Sequence, residues 1–202
     1  GFLDAYTYVS RDGVFANAQT GNFARLAISL ANGDFWLVLR YLIPILSFVA
    51  GVSMAMWLSR RIPQSGKLQW QQVSILLEML LLAAVALVPS GKVSNVCANL
   101  MVSFTCAVQA ESFRKVLGTP FASTMCTGNL RNATEYLNSF FQKQEKADLE
   151  KSIQYFGIDG LFVLGAVAGT YMTRLLQTHA TVICCFLLGI VFFKLRNRSM
   201  EG

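Results

Sequence analysis

Phe121–Phe141 reads FASTMCTGNLRNATEYLNSFF, and whether this stretch crosses a membrane decides the fold of the whole chain. A spanning helix needs about 20 mostly apolar residues. The stretches 35–58, 70–89, 153–173 and 180–194 meet that demand, the last with Arg174 and Lys194 placed to snorkel at its ends. A fifth runs over 93–113, and Gly1–Val9 (GFLDAYTYV) reads as the last part of a sixth. The 121–141 stretch carries Arg131, Glu135 and several amide side chains. The segment 14–31 poses the same question with fewer charges.

Charge placement decides it. If both segments enter and return without crossing, Arg60, Arg61 and Lys67 share one side with Arg114 and Lys115. Lys143, Lys146, Lys151, Lys194, Arg196 and Arg198 fall on that side too, which makes eleven of the 17 basic residues. A crossing at 121–141 erases the bias. Positive charge collects on the cytoplasmic side, so the sequence predicts six crossings, both termini cytoplasmic, and two segments that do not cross. The lipid bilayer is the first partner.

Composition agrees. Of 202 residues, 54% are hydrophobic and 14% charged, against about 25% charged in soluble domains. Mean hydropathy is +0.47. These values exclude a disordered chain and argue against an ordinary soluble enzyme. The net charge of +6 comes without an aromatic-basic stripe or zinc spacing, so nucleic acid is not an expected partner. The five cysteines lack a Cys-x-x-Cys pair and read as small buried hydrophobes. His179 has no metal-site or triad partners and reads as a loop residue near a helix end. No metal, cofactor or catalytic constellation is expected.

Thr20-Gly21-Asn22 recurs as Thr127-Gly128-Asn129, 107 positions later. A repeated tripeptide alone means little. At the same offset, Asp4 falls on Glu111 and the 70–89 helix on the final one. Ser47-x3-Gly51 aligns with Gly165-x3-Gly169 across a longer offset, as if residues were inserted at 142–151. Each half then reads helix, re-entrant segment, helix, helix. Three crossings per half place the second half upside down. The expected fold is an all-α polytopic membrane protein of six transmembrane helices in an inverted 3+3 repeat. Residues 1–92 form one repeat, with re-entrant segment 14–31, and 93–202 the other, with re-entrant segment 121–141.

A half-helix start exposes free N–H groups and partial positive charge. Thr20 and Thr127 are expected N-caps. Gly21 and Gly128 allow close approach, and Asn22 and Asn129 offer donor and acceptor. Pro120, after Gly118, is an expected stop for the preceding helix. Two such starts facing each other at mid-membrane suit a small polar or anionic solute. The plainer reading is that the triplets let helices cross closely. Glu78 lies near mid-depth, where an ionised carboxylate costs at least about 2.5 kcal/mol. It is a proton-coupling candidate or a structural partner of Arg40. Asp4 and Glu111 are further candidates, although Glu111 can pair with Arg114 or Lys115. Arg25 and Arg131 follow the triplets and either bind an anion or anchor the segment. The stripes Ser47-Gly51-Ala55 and Gly165-Gly169 suit close helix packing or a homodimer interface.

Gly1-Phe2-Leu3-Asp4-Ala5, Phe15-Ala16-Asn17 with Thr20-Gly21-Asn22, and Thr127-Gly128-Asn129 together resemble the YoaK family, over essentially the whole chain. The resemblance implies a small multi-helix bacterial inner-membrane protein. It implies no substrate, reaction or functional residue. The function expected from the residues is a small transporter or channel with its site between the repeats. The alternative is a non-transporting membrane scaffold or regulatory partner. An intramembrane enzyme is not expected.

Overall fold

The computed structural model describes residues 1–62, 68–116, 119–120 and 126–200, with side chains for all of these except 115–116, 119–120 and 198–200. Lys67, Gly118, Phe121 and Ala122 lie outside the described residues, as do the side chains of Lys115, Pro120 and Arg198.

Eight α-helices are described: α1 (Phe2–Ser10), α2 (Gln19–Ala31), α3 (Phe35–Arg61), α4 (Trp70–Leu87), α5 (Lys92–Ser112), α6 (Cys126–Lys143), α7 (Lys146–Leu176) and α8 (Thr181–Met200). A two-stranded antiparallel bridge, β1 (Lys115–Val116) with β2 (Thr119–Pro120), follows α5. Four stretches are long and apolar enough to cross a membrane: Phe35–Arg61, Trp70–Leu87, Lys92–Ser112 and Lys146–Asn197. The last runs through α7 and a 3-10 turn at Gln177–Ala180 into α8. The two final helices expected at 153–173 and 180–194 are therefore joined by helical backbone, broken where Gln177 takes a φ of +51°. The stretch 142–151, read as an insertion, holds the end of α6 and the start of α7. Pro120 does not end the preceding helix either: α5 stops at Ser112 and Pro120 pairs in β2.

Two segments fall short of spanning, as expected. α2 has 13 residues and is about 20 Å long at 1.5 Å per residue, against a hydrocarbon core of about 30 Å. α6 has 18 residues but is too polar to qualify. The outward faces of the spanning stretches are bare leucines and valines. Leu80, Leu161, Leu164 and Leu175 are all exposed, a surface that water does not tolerate and lipid does. The chain is a membrane-embedded helical protein.

Local sequence accounts for the helix ends. Gly33, with a φ of +70°, closes α2, and the Asp34 carboxylate accepts from the N–H of Trp36 and Leu37 to open α3. Gln69 and Gln72 form a reciprocal capping box on α4. α3 packs on α5, and α1 on α7. Both crossings rest on the small-residue stripes. Ser47 Oγ donates to Leu100 O at 2.7 Å. A Cβ on Gly51 would stand 2.6 Å from Phe104 O, and one on Gly169 only 2.5 Å from Phe2 O. The stripes serve close helix packing within the chain. Cys106 is buried, but Cys97 is exposed rather than a core residue. His179 sits exposed in the 3-10 turn.

The tie between the two ends of the chain is Arg11, which is fully buried. Its Nε and Nη2 donate to Tyr6 Oη at 3.0 and 2.9 Å. Nη2 also reaches Val85 O and Val88 O at 3.3 and 2.8 Å. Nη1 reaches Pro89 O and Asn95 Oδ1, each at 3.1 Å. Tyr6 Oη in turn donates to Thr178 O. A cation over the unpaired carbonyls that end α4 is matched by the helix dipole and by hydrogen bonds, with no carboxylate required. Arg11→Leu strands several buried acceptors at about 1–3 kcal/mol each. Its melting midpoint in detergent is expected to fall by roughly 10 °C, and an unchanged midpoint would refute the tie.

Candidate functional site

Between Arg11 and Ala18 the chain runs without helix, and side chains satisfy its backbone there. The Asp4 carboxylate, through Oδ1, accepts from Asn17 N at 2.8 Å and Ala18 N at 3.2 Å. Thr7 Oγ1 accepts from Ala16 N at 3.2 Å, and Ser103 Oγ donates to Ala16 O at 2.7 Å. Asn22 Nδ2 donates to Phe15 O at 2.6 Å while its Oδ1 accepts from Phe15 N at 3.3 Å. Asn99 Nδ2 donates to Arg11 O, and Arg25 Nη1 to Gly13 O at 2.7 Å.

α2 therefore begins at Gln19, with Thr20 inside its first turn and no side-chain cap of its own. Thr127 likewise lies inside the first turn of α6. The expectation that the two threonines are N-caps is corrected: Asp4, from a different helix, supplies the acceptor at the start of α2. An oxygen borrowed from α1 also ties the two elements together, which a local cap does not.

Both helix starts open on one cavity of about 510 Å³. Asn17, Ala18, Gln19, Thr20 and Phe23 line it from the first half, with Ile45, Phe48 and Val49 of α3. Cys126, Thr127 and Gly128 line it from the second, with Phe162 of α7. So Thr20, Thr127 and Gly128 line one cavity. Asn22 and Asn129 do not line it: both are buried and spent on the surrounding structure. Asn129 Nδ2 donates to Asp159 Oδ1 at 3.0 Å. The glycines differ as well. A Cβ on Gly21 would press on the Phe15 ring at 3.0 Å, whereas one on Gly128 would meet nothing within 4 Å.

An aspartate stands at each helix start, Asp4 at α2 and Asp159 at α6. Asp4 already matches the positive start of α2, which weakens the pull of that end on an anionic solute. Burial, reinforced by Asp159, pushes the Cys126 thiol up, which keeps it protonated at neutral pH.

A second cavity of about 380 Å³ lies between α1, α4, α5 and α8. Asp4, Asn17, Glu78, Thr105 and Gln109 form its polar part, and Leu82, Leu187, Leu188 and Val191 an apolar wall. Glu78 is 1% exposed. It does not meet Arg40, which pairs with Asp12 at 3.5 Å. With its nitrogen turned to the carboxylate, the Gln109 amide donates to both Glu78 oxygens, 3.1 Å to Oε1.

The chain belongs to the DUF1275 family. That family is described as proteins of unknown function, and its model matches residues 1–194. YoaK-type membrane proteins belong to it, in line with the resemblance carried by the sequence. No curated protein and no solved structure matches the chain.

The other candidates sit elsewhere. Glu111 pairs with Arg114 on its own helix end at 3.3 Å. Arg131 forms an exposed pair with Glu135 at 2.8 Å. The Arg25 guanidinium lies among the rings of Tyr8, Phe15 and Tyr41, 5.4 to 5.8 Å from their centroids, and anchors α2. Neither arginine lines either of these two cavities. Sequence reasoning missed Asn17, Gln109 and Arg11 as site-building residues. Asn17 stood within the Phe15-Ala16-Asn17 run, but Gln109 and Arg11 carried no local signal. Asp4→Ala leaves the Asn17 and Ala18 amides without an acceptor, a loss of about 1–3 kcal/mol. Hydrogen exchange at 15–22 should speed up in that variant and stay near the parent in Asp4→Asn, which keeps an acceptor oxygen. Equal protection in Asp4→Ala and the parent would contradict this role.

Proposed function

We propose that this protein is a small transporter or channel for a polar solute in the bacterial inner membrane, its route lying between two inverted repeats. The observation that carries the reading is the first cavity, which draws matching residues from both halves: Gln19 and Thr20 with Cys126, Thr127 and Gly128.

The helix pairing supports the repeat. α1 runs alongside α7 in the same direction, since Phe2 meets Gly169 and Tyr6 meets Thr178. α5 runs alongside α3 in the same direction, since Leu100 meets Ser47 and Phe104 meets Gly51. These two pairs interchange when the first four helices are swapped with the last four. So do α2 on α3 and α6 on α7, while α4 on α8 maps onto itself. Counting α7 and α8 separately, with α1, gives six crossings. The basic residues at 60–61, 114–115, 143–151 and 194–198 then share the cytoplasmic face with both termini. Half-helix starts meeting at a repeat interface are how many transporters build a solute site.

Gly128 offers the sharpest handle, because a side chain there enters open space. Gly128→Phe is expected to leave the melting midpoint within a few degrees of the parent and to cut solute flux in proteoliposomes at least about tenfold. Gly21→Phe should instead destabilise the protein by displacing Phe15. Undiminished flux in Gly128→Phe, or no flux of any solute in the parent across sugars, amino acids, amines and inorganic ions, counts against the route.

A further inference from the structure

The second cavity is poor in donors and rich in acceptors. Asp4 is 4% exposed and Asn17 8%, yet Asp4 Oδ2 and Asn17 Oδ1 have no hydrogen-bond partner. Both residues line the cavity. A buried carboxylate oxygen and a buried amide oxygen left unpaired on one wall are costly unless a donor arrives. Glu78 adds a second carboxylate, met by the Gln109 amide. Thr105 Oγ1 donates to Met101 O, so toward the cavity its lone pairs are what it offers. No Lys, Arg or His is among the described lining residues. Two carboxyl side chains thus line the cavity with no basic side chain among the described lining residues.

We propose that this cavity binds a small organic ammonium ion. Its charged head sits on Asp4, Asn17 and Glu78, and its carbon skeleton lies against Leu82, Leu187 and Val191. A bare metal ion fits less well. Such ions need a close shell of several oxygens, and no group of three or more acidic, His or Cys side chains able to hold a metal occurs among the described residues. The apolar wall would also be idle around a bare ion, whereas an amine uses both halves of the cavity.

The position has a consequence for the other cavity. Asn17 lines both, and its N–H bonds the same Asp4 carboxylate whose second oxygen is free. A cation on Oδ2 draws on the charge that caps α2, so occupancy of the second cavity bears on the helix start that lines the first. The two cavities touch through one residue.

Binding can be tested without transport, so this proposal and the transport reading fail separately. Purified full-length protein in detergent is titrated by calorimetry with phenethylammonium chloride, with phenethyl alcohol and sodium chloride as controls. Saturable binding of the ammonium alone is expected. Glu78→Gln should weaken it at least about tenfold, and Leu187→Trp, which fills the apolar side, should weaken it at a retained melting midpoint. Asp4→Asn should weaken it too while preserving the α2 start. Equal binding of the neutral alcohol, saturable binding of sodium alone, or unchanged affinity in Glu78→Gln each overturns the proposal.

Discussion

Everything in this structure answers to one constraint: backbone that leaves the helix inside an apolar environment must still have each N–H and C=O paired. Between Arg11 and Ala18 the chain has no helix to supply those bonds. Side chains from α1, α2 and α5 supply them instead, with Asp4, Thr7, Asn22, Asn99 and Ser103 each spent on a particular amide or carbonyl. This explains why an apolar chain keeps so many small polar residues in its interior. They are buried because they complete a broken backbone, and their removal opens the break.

The same logic extends to charge. Arg11 is buried without a carboxylate because the carbonyl end of α4 provides the opposite polarity, and Asp4 is buried because the amide start of α2 does. One charge closes a helix and the other opens one. Both are held by neighbours far away in the sequence. Asp4 differs in one respect: its second oxygen has nothing to do in the fold. Where Arg11 is saturated, Asp4 retains capacity, and it retains it on the wall of a cavity.

Much of the architecture was legible along the chain because hydrophobic length is a one-dimensional quantity. The spans at 35–61 and 70–87 are read directly from runs of apolar residues, as is the failure of 126–143 to qualify. The small-residue stripes were legible for the same reason, since close helix packing selects glycine and serine at fixed intervals. The 3-10 turn at 177–180 was less so: a change from one helical form to another leaves almost no trace in hydropathy. The site divided differently. Thr20, Thr127 and Gly128 reach the first cavity, but the asparagines beside them turn away, Asn22 to the backbone of Phe15 and Asn129 to Asp159. A tripeptide cannot say which of its side chains faces inward.

The amino-acid sequence by itself determined that this is a membrane-embedded helical protein with two segments too short or too polar to span, because lipid imposes length and polarity rules that act residue by residue. The tertiary structure decided which polar groups are used up and which are left over. That Gln109 reaches Glu78, that Asp4 caps α2 from another helix, and that Asn17 joins two cavities are matters of which helices lie side by side. Such pairings depend on packing between separate helices, and no local pattern records them.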